Sequence, residues 1–191
     1  PTLFRGTFTF DEAFLSPQFR VPKDITYSDN PAKVRFSITS NTGEEAVGAV
    51  GKIQLTLGPP SNDTDGPIIT FESKSGRILR SGDHLSSEKK LIIRISDPLG
   101  INLTGEKGHE LLFINPTMDD KSIVTERFIY DVNSLNTGTI EYNIPSEDNQ
   151  LSLVVSAWDN ANNPTEAQID LILLKSEKLD LLHVFNFPNP F

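Results

Sequence analysis

The segment from Leu151 to Leu174 limits the possible folds of this chain more than any other stretch of its sequence. Apolar and polar side chains alternate along both of its halves, which flank a turn rich in Asp, Asn and Pro. The apolar positions are Leu151, Leu153, Val155, Ala157, Ala167, Ile169, Leu171 and Leu173. Because successive side chains of a β-strand point to opposite faces, each half is predicted to be a strand with one buried face. The segment is therefore predicted to be a β-hairpin of a layered β protein.

Short alternating runs of the same kind recur along the chain, and turn-forming residues separate them. The further strand candidates are Thr7–Phe10, Lys33–Thr39, Lys52–Leu57, Ile68–Glu72, Leu91–Ser96, Leu111–Asn115, Arg127–Val132 and Thr139–Ile144. With the hairpin, the candidates beyond residue 67 match the number and spacing of strands in an immunoglobulin-like sandwich. The predicted fold class is all-β: an immunoglobulin-like β-sandwich with a smaller or partial N-terminal β module.

Domain boundaries follow from the distribution of turn formers. Residues 59–67 read PPSNDTDGP, contain no large apolar side chain and are predicted to be a linker. The partial N-terminal module then covers residues 1–58, and the sandwich covers residues 68–175. Residues 176–191 form a tail, in which 176–184 are predicted to make a short helix that ends before Pro188.

Composition excludes several classes of function. The formal net charge is -9, and an acidic surface repels polyanions, so nucleic acid is not an expected partner. The chain has no Cys, which excludes disulfides, thiolate metal sites and a cysteine nucleophile within it. No apolar run reaches the length of about 18 residues that spans a bilayer, so membrane insertion is not expected. The sequence also lacks a Gly-rich phosphate loop, a GxSxG nucleophile elbow and an HExxH pair, and no cofactor is expected.

The turn from Trp158 to Pro164 gathers side-chain oxygens. Asp159, Asn160 and Asn162 are candidate calcium ligands, because Ca²⁺ prefers carboxylate and amide oxygens. The same residue types close turns by bonding to nearby backbone, and the glycine-anchored spacing of an EF-hand is missing. The main interpretation is a structural turn without a metal, and calcium is the alternative.

Trp158 is the only tryptophan, and strict alternation along its strand turns it away from the core. An outward ring can stack on a sugar or pack on a neighbouring domain, and a bulge could also return it to the core. Trp158, Tyr142 and Tyr130 are the candidate stacking groups of a binding surface for cell-surface glycan or protein.

Four further residues are predicted to have structural roles in turns: Asp97, Gly100, Gly108 and His109. Although Glu110 adjoins His109, neighbouring residues of a strand point to opposite faces and do not form an acid–base pair. A hydrolase that uses Asp97, Asp159 and Glu110 is a separate hypothesis. It requires two carboxyl groups about 5 to 10 Å apart in one cleft.

Several segments, taken in order, resemble the C-terminal β-sandwich region of gingipain-type cysteine peptidases of the type IX secretion sortase kind. The segments that carry the resemblance are Phe4–Thr9, Phe19–Ile25, Asp65–Ile68, Asp97–Asn102 with Gly105 and Gly108–Glu110, Ala157–Asn160 with Asn162 and Asn163, and Asn186–Phe191. The last of these, NFPNPF, is similar to the opening of a sorting domain in that family.

The resemblance implies two accessory β-sandwich modules that follow a catalytic domain, with a tail leading to a truncated sorting domain. The catalytic Cys and His of the family have no counterpart here, so the chain is expected not to be an enzyme. The expected function is a structural or interaction module of a bacterial secreted or surface peptidase that spaces the catalytic domain from a C-terminal sorting segment. Its expected partners are other domains of the same polypeptide, and its expected location is secreted or associated with the outer membrane at the cell surface. The alternative is a glycan- or protein-binding surface module.

Overall fold

The structure is a computed structural model, and the described residues are 2–10, 16, 18, 20–23, 25, 31–55, 61–86, 90–116, 120–144 and 149–174. The strands in chain order are β1 (Ala32–Thr39), β2 (Glu45–Ile53), β3 (Ile68–Ser73), β4 (Ile78–Leu79), β5 (His84–Ser86), β6 (Lys90–Ser96), β7 (Leu112–Asn115), β8 (Asp120–Ile123), β9 (Ile129–Tyr130), β10 (Thr137–Asn143), β11 (Gln150–Trp158) and β12 (Pro164–Leu174). Within the described ranges the only helical element is a 3-10 turn at Thr125–Arg127. The predicted all-β class is confirmed.

The strands from β3 to β12 form a sandwich of two five-stranded sheets. One sheet has the order β4-β3-β6-β10-β9, and the other has the order β5-β12-β11-β7-β8. Strands β3, β6, β10 and β9 correspond to A, B, E and D of an immunoglobulin-like fold, and β7, β8, β11 and β12 correspond to C, C′, F and G. Strand β5 lies parallel to β12 and carries the chain across from the first sheet to the second. The predicted immunoglobulin-like sandwich is therefore present.

The core lies between the two sheets and is built from alternate residues of their strands. In β6, Leu91, Ile93 and Ile95 are fully buried, as the period of two predicts. In the predicted hairpin, all four inward residues of β11 are buried. Ile169 and Leu171 of the neighbouring strand β12 lie beside them on the same face of the sheet and are also buried. Burial of each Leu, Ile or Val side chain in this set contributes about 1.5–3 kcal/mol. The sandwich is thus held by aliphatic packing between the sheets.

Strands β1 and β2 form a separate two-stranded hairpin. The prediction of a strand at Lys52–Leu57 is wrong. Strand β2 begins at Glu45 and ends at Ile53, and of the predicted remainder residues 54–55 lie beyond it, whereas 56–57 are outside the described residues. Lys52 has a φ of 61°, a left-handed conformation that interrupts a regular strand near this point. The small residues Ala46, Gly48 and Ala49 made most of β2 invisible to a search for large alternating side chains.

Other strands also differ from the sequence-based expectation, and the predicted strand Thr7–Phe10 is not formed as a regular strand. The run at Arg127–Val132 contributes only the two residues of β9, because Thr125–Arg127 closes a 3-10 turn just before it. The short strands β4, β5 and β8 were not predicted. Each has four residues or fewer, too short for a period to be read. The tail 176–191 and its predicted helix lie outside the described residues.

Candidate functional site

Three loops bring carboxylates together at one end of the sandwich. Asp97 directly follows β6, Asp159 directly follows β11, and Asp63 precedes β3. One carboxylate oxygen from each lies within 4.8 Å of the others. Asp97 is 4% exposed and Asp159 is fully buried. We call these three residues the carboxylate cluster.

The position of Asp97 is set by the turn that follows β6. Its Oδ1 accepts a hydrogen bond from the backbone N–H of Leu99 at 2.7 Å, and its carbonyl accepts one from Gly100 at 3.0 Å. Gly100 has a φ of +83°, and a Cβ there would lie 2.9 Å from Asn160 Nδ2 and 3.0 Å from the Tyr130 hydroxyl. Only glycine fits this turn without displacing a neighbour.

Asp159 organises the loop between β11 and β12. Its Oδ1 accepts hydrogen bonds from the backbone N–H groups of Ala161 at 3.0 Å and Asn163 at 2.6 Å. The Asn163 side chain donates to Asp159 Oδ2 at 2.9 Å and to the Asp63 carbonyl at 3.1 Å. One amide therefore connects the loop to the segment that precedes β3.

The electrostatics of the cluster disfavour ionisation. The pKa of Asp97 is raised from 3.8 to about 6: burial is the largest cause, the hydrogen bond from Leu99 opposes it, and the negative charges of Asp159 and Asp63 add to the increase. Burial also raises the pKa of Asp159, against the hydrogen bonds that its carboxylate accepts from Asn163 and Ala161. Among the described residues no Lys or Arg forms an ion pair with these carboxylates. When its members are ionised, repulsion between the carboxylates therefore raises the free energy of the folded state.

This arrangement supplies the oxygen ligands that a hard divalent cation prefers. Of the calcium candidates from the sequence, only Asp159 belongs to the cluster. Asn160 directs its Nδ2 to the carbonyls of Leu99 at 2.8 Å and Arg20 at 3.2 Å, and its buried Oδ1 has no hydrogen-bond partner in the described part of the chain. Asn162 bonds to the side chain of Asn102 at 3.3 Å.

The residues of the hydrolase hypothesis are only partly brought together. Asp97 and Asp159 are neighbours, but Glu110 accepts a hydrogen bond from the backbone of Gly108 at 2.7 Å and is not part of the cluster. The full burial of Asp159 also leaves it without access to a substrate in solution. Gly108 has a φ of +93°, and the backbone N–H of His109 donates to the carbonyl of Glu106 at 2.8 Å, which closes that turn.

The three candidate stacking residues do not form one surface. Trp158 ends β11 and is half-buried, with its ring 4.5 Å from that of His109. Tyr142 lies on β10 in the other sheet and packs edge-on against Phe113 at 5.3 Å. Tyr130 is 3% exposed, and its hydroxyl donates to the carbonyl of Ile101 and accepts from its N–H.

Sequence reasoning missed Asp63 because it lies in the segment read as a linker. The only available signal was the recurrence of Asp at the ends of strands, as at Asp97 and Asp159. Which of those ends meet in space is decided by the sheet order.

Comparison with known proteins gives a structural match that extends over most of this chain. No protein-family model matches the sequence, and no curated protein matches it significantly. The fold is similar to part of a chain in the crystal structure of dimeric latent PorU from Porphyromonas gingivalis, with 26% sequence identity and a TM-score of 0.50. The match covers 91% of this chain and 17% of that chain. The two proteins therefore share a related fold over a small part of the longer one.

Proposed function

We propose that this chain is a non-catalytic β module of a bacterial secreted or cell-surface peptidase, and that it spaces a catalytic domain from a C-terminal sorting segment. The observation that carries the proposal is the similarity to PorU, which extends over 91% of this chain but only 17% of that one. The resemblance of the sequence to gingipain-type peptidases of the type IX secretion sortase kind points in the same direction. In the described ranges, no helix is long and apolar enough to cross a bilayer.

The mechanical part of the proposal rests on the way the sandwich is built. Its two sheets enclose one aliphatic core, and Arg94 adds ion pairs to Glu72 and Asp131 on the outer face of the first sheet. A packed double layer resists bending, so it holds the segments at its two ends at a fixed separation. The segment before β3 and the end of β12 lie at opposite ends of this layer, because β12 runs away from the carboxylate cluster.

The exposed apolar face of the hairpin β1–β2 supports the proposal that other domains of the same polypeptide are the partners. One face presents Val34, Phe36 and Ile38, which are 41–45% exposed and stand opposite Val50, Gly48 and Ala46. A two-stranded hairpin with an exposed apolar face is marginally stable on its own. Aliphatic and aromatic side chains on a sheet face suit a protein surface better than a glycan, which also needs converging polar groups.

Domain replacement in the complete peptidase tests the spacer role. Replacing residues 68–174 with an unrelated sandwich of equal length should preserve processing by the peptidase, whereas deleting them should abolish it. A glycan- or protein-binding role predicts instead that the replacement fails as completely as the deletion.

In a second experiment, the purified chain should cleave no peptide substrate, and cleavage that survives repurification would contradict the non-catalytic assignment.

A further inference from the structure

The first residues of the chain lie along the free edge of the first sheet. The backbone N–H of Tyr130 donates to the carbonyl of Arg5 at 3.1 Å, and that of Asn133 donates to the carbonyl of Thr7 at 2.9 Å. Residue numbers rise together along both partners, so the segment 2–10 runs in the same direction as β9. Since β9 is the last strand of its sheet, the Tyr130 bond joins the segment to the sheet edge, and the Asn133 bond joins it to the turn that follows β9. We call the surface formed by β9 together with Glu126 and Asn133 the β9 edge.

An aromatic contact anchors the segment. The ring of Phe4 stacks on Tyr130 with centroids 4.8 Å apart and planes 17° apart, and the ring of Phe8 stacks on Phe4 with centroids 5.8 Å apart. Tyr130 is held in place by its hydroxyl bonds to Ile101 and by the edge-on ring of Phe128 at 5.0 Å. Phe4 therefore docks on a platform that the sandwich core fixes.

A glycine lets the backbone approach this platform. A Cβ on Gly6 would lie 2.6 Å from the Phe4 ring and 3.2 Å from the Cβ of Tyr130. A side chain at this position would push Phe4 off Tyr130 or lift the segment from the edge. The β9 edge thus fits an aromatic residue followed two positions later by glycine.

Polar contacts of Arg5 and Thr9 fix the register of the segment 2–10 on the β9 edge. The Arg5 guanidinium bonds to the carbonyl and the carboxylate of Glu126. Asn133 has a φ of 61°, and its side chain accepts a hydrogen bond from the Thr9 N–H at 2.8 Å and donates one to the Thr9 hydroxyl at 2.7 Å. These contacts all come from one short peptide that lies more than 120 residues away in sequence.

We propose that the β9 edge is a strand-acceptor site for an extended peptide that carries an aromatic residue two positions before a glycine, and that residues 2–10 are its resident, exchangeable ligand. Addition of a strand to a sheet edge gives affinity through main-chain hydrogen bonds, and pockets for side chains give specificity. The resident segment benefits from its attachment to the same chain, which keeps its effective concentration high. When that segment is disabled, the site is open to the same peptide in trans.

A rescue experiment in the full chain tests the proposal. The variant Gly6→Val disables the resident segment, and a fluorescent peptide with the sequence of residues 2–10 is then titrated by anisotropy. The variant is expected to bind this peptide at least tenfold more tightly than the natural chain does, because its edge is open. A peptide that itself carries Gly6→Val should bind the variant at least tenfold more weakly than the natural peptide does. The backbone N–H groups of Tyr130 and Asn133 should exchange with deuterium faster in the variant and regain protection when the natural peptide is added.

Each contrary result overturns the proposal. If a folded variant binds no peptide, the edge is not an acceptor. If the natural chain and the variant bind the peptide equally, binding occurs at another surface. The second variant, Phe4→Ala, removes the anchor without adding a side chain to the edge, and it should open the site in the same way. Circular dichroism of both variants identifies any loss of fold, in which case the second variant carries the test.

Discussion

At the scale of single residues, the carboxylate cluster is the feature with the clearest energetic consequence. Asp97 and Asp159 are buried, close together and without a cationic partner among the described residues. The hydrogen bonds they accept fix the two loops and offset part of the cost of burial. These acidic side chains therefore serve as turn organisers that destabilise the fold when they ionise.

The pH dependence of stability follows from Asp97. Its pKa is raised from 3.8 to about 6 in the folded protein, so the folded state binds the proton more tightly than the unfolded chain. The stability contributed by the protonated form is present below about pH 4 and is lost as the pH rises through 6. In buffer with EDTA, we expect Asp97→Asn to be more stable than the natural chain at pH 7 by about 3 kcal/mol, and this advantage to vanish near pH 4. Urea unfolding measures it, with Asp120→Asn on the exposed strand β8 as the control. A pH-independent difference would contradict the assignment.

Calcium provides a second measurement at the same residues. If the cluster takes up the cation that the sequence suggested for Asp159, millimolar CaCl₂ at pH 7.5 should raise the melting temperature of the natural chain, and EDTA should reverse the increase. Asp97→Asn should lose the response, because it removes a charged oxygen ligand. An equal increase in melting temperature in both chains would mean that calcium binds elsewhere. If neither melting temperature changes, the cluster binds no calcium and the turn has only a structural role.

At the scale of elements, turns with left-handed glycines determine how the strands are joined. Gly100 and Gly76 have nearly the same φ, +83° and +85°, but different surroundings. A Cβ on Gly100 would crowd Asn160, Tyr130 and the Leu135 carbonyl, whereas one on Gly76 would meet nothing within 4 Å. Substitution of Gly76 should therefore add only backbone strain, whereas substitution of Gly100 should add the same strain and steric crowding.

Alanine substitution at these two glycines tests that separation. Gly76→Ala should cost about 1–2 kcal/mol, which is the strain of a left-handed residue with a Cβ. Gly100→Ala should cost more, because it adds crowding against backbone and buried groups to the same strain. Denaturant unfolding of both variants gives the comparison. Equal costs would show that the turn after β6 relaxes freely around a methyl group.

At the scale of the whole molecule, stability is unevenly distributed. The sandwich encloses its core between two sheets, whereas the hairpin β1–β2 exposes both its faces, with Val47 85% exposed. A two-stranded sheet without a covering layer opens more easily than a strand in the middle of a sandwich.

Hydrogen exchange should show this difference directly. In the purified chain, backbone amides of β1 and β2 should exchange at least a hundredfold faster than those of β6 and β11, the central strands of the two sheets. If another domain of the polypeptide covers the hairpin, as proposed, adding that domain should slow exchange in β1 and β2 and leave β6 and β11 unchanged. Equal protection throughout the isolated chain would mean that the hairpin is already covered.

The sandwich and the inward face of its long strands could be predicted from the amino-acid sequence. Period-two alternation depends only on neighbouring residues, so the burial of Leu153 or Ile169 could be predicted without knowledge of the partner strand. Two contacts could not be predicted in this way: that of Asp63 with Asp97 and Asp159, and that of Phe4 with Tyr130. These contacts join segments far apart in the chain, and they exist because of sheet order and loop direction, which local patterns do not encode.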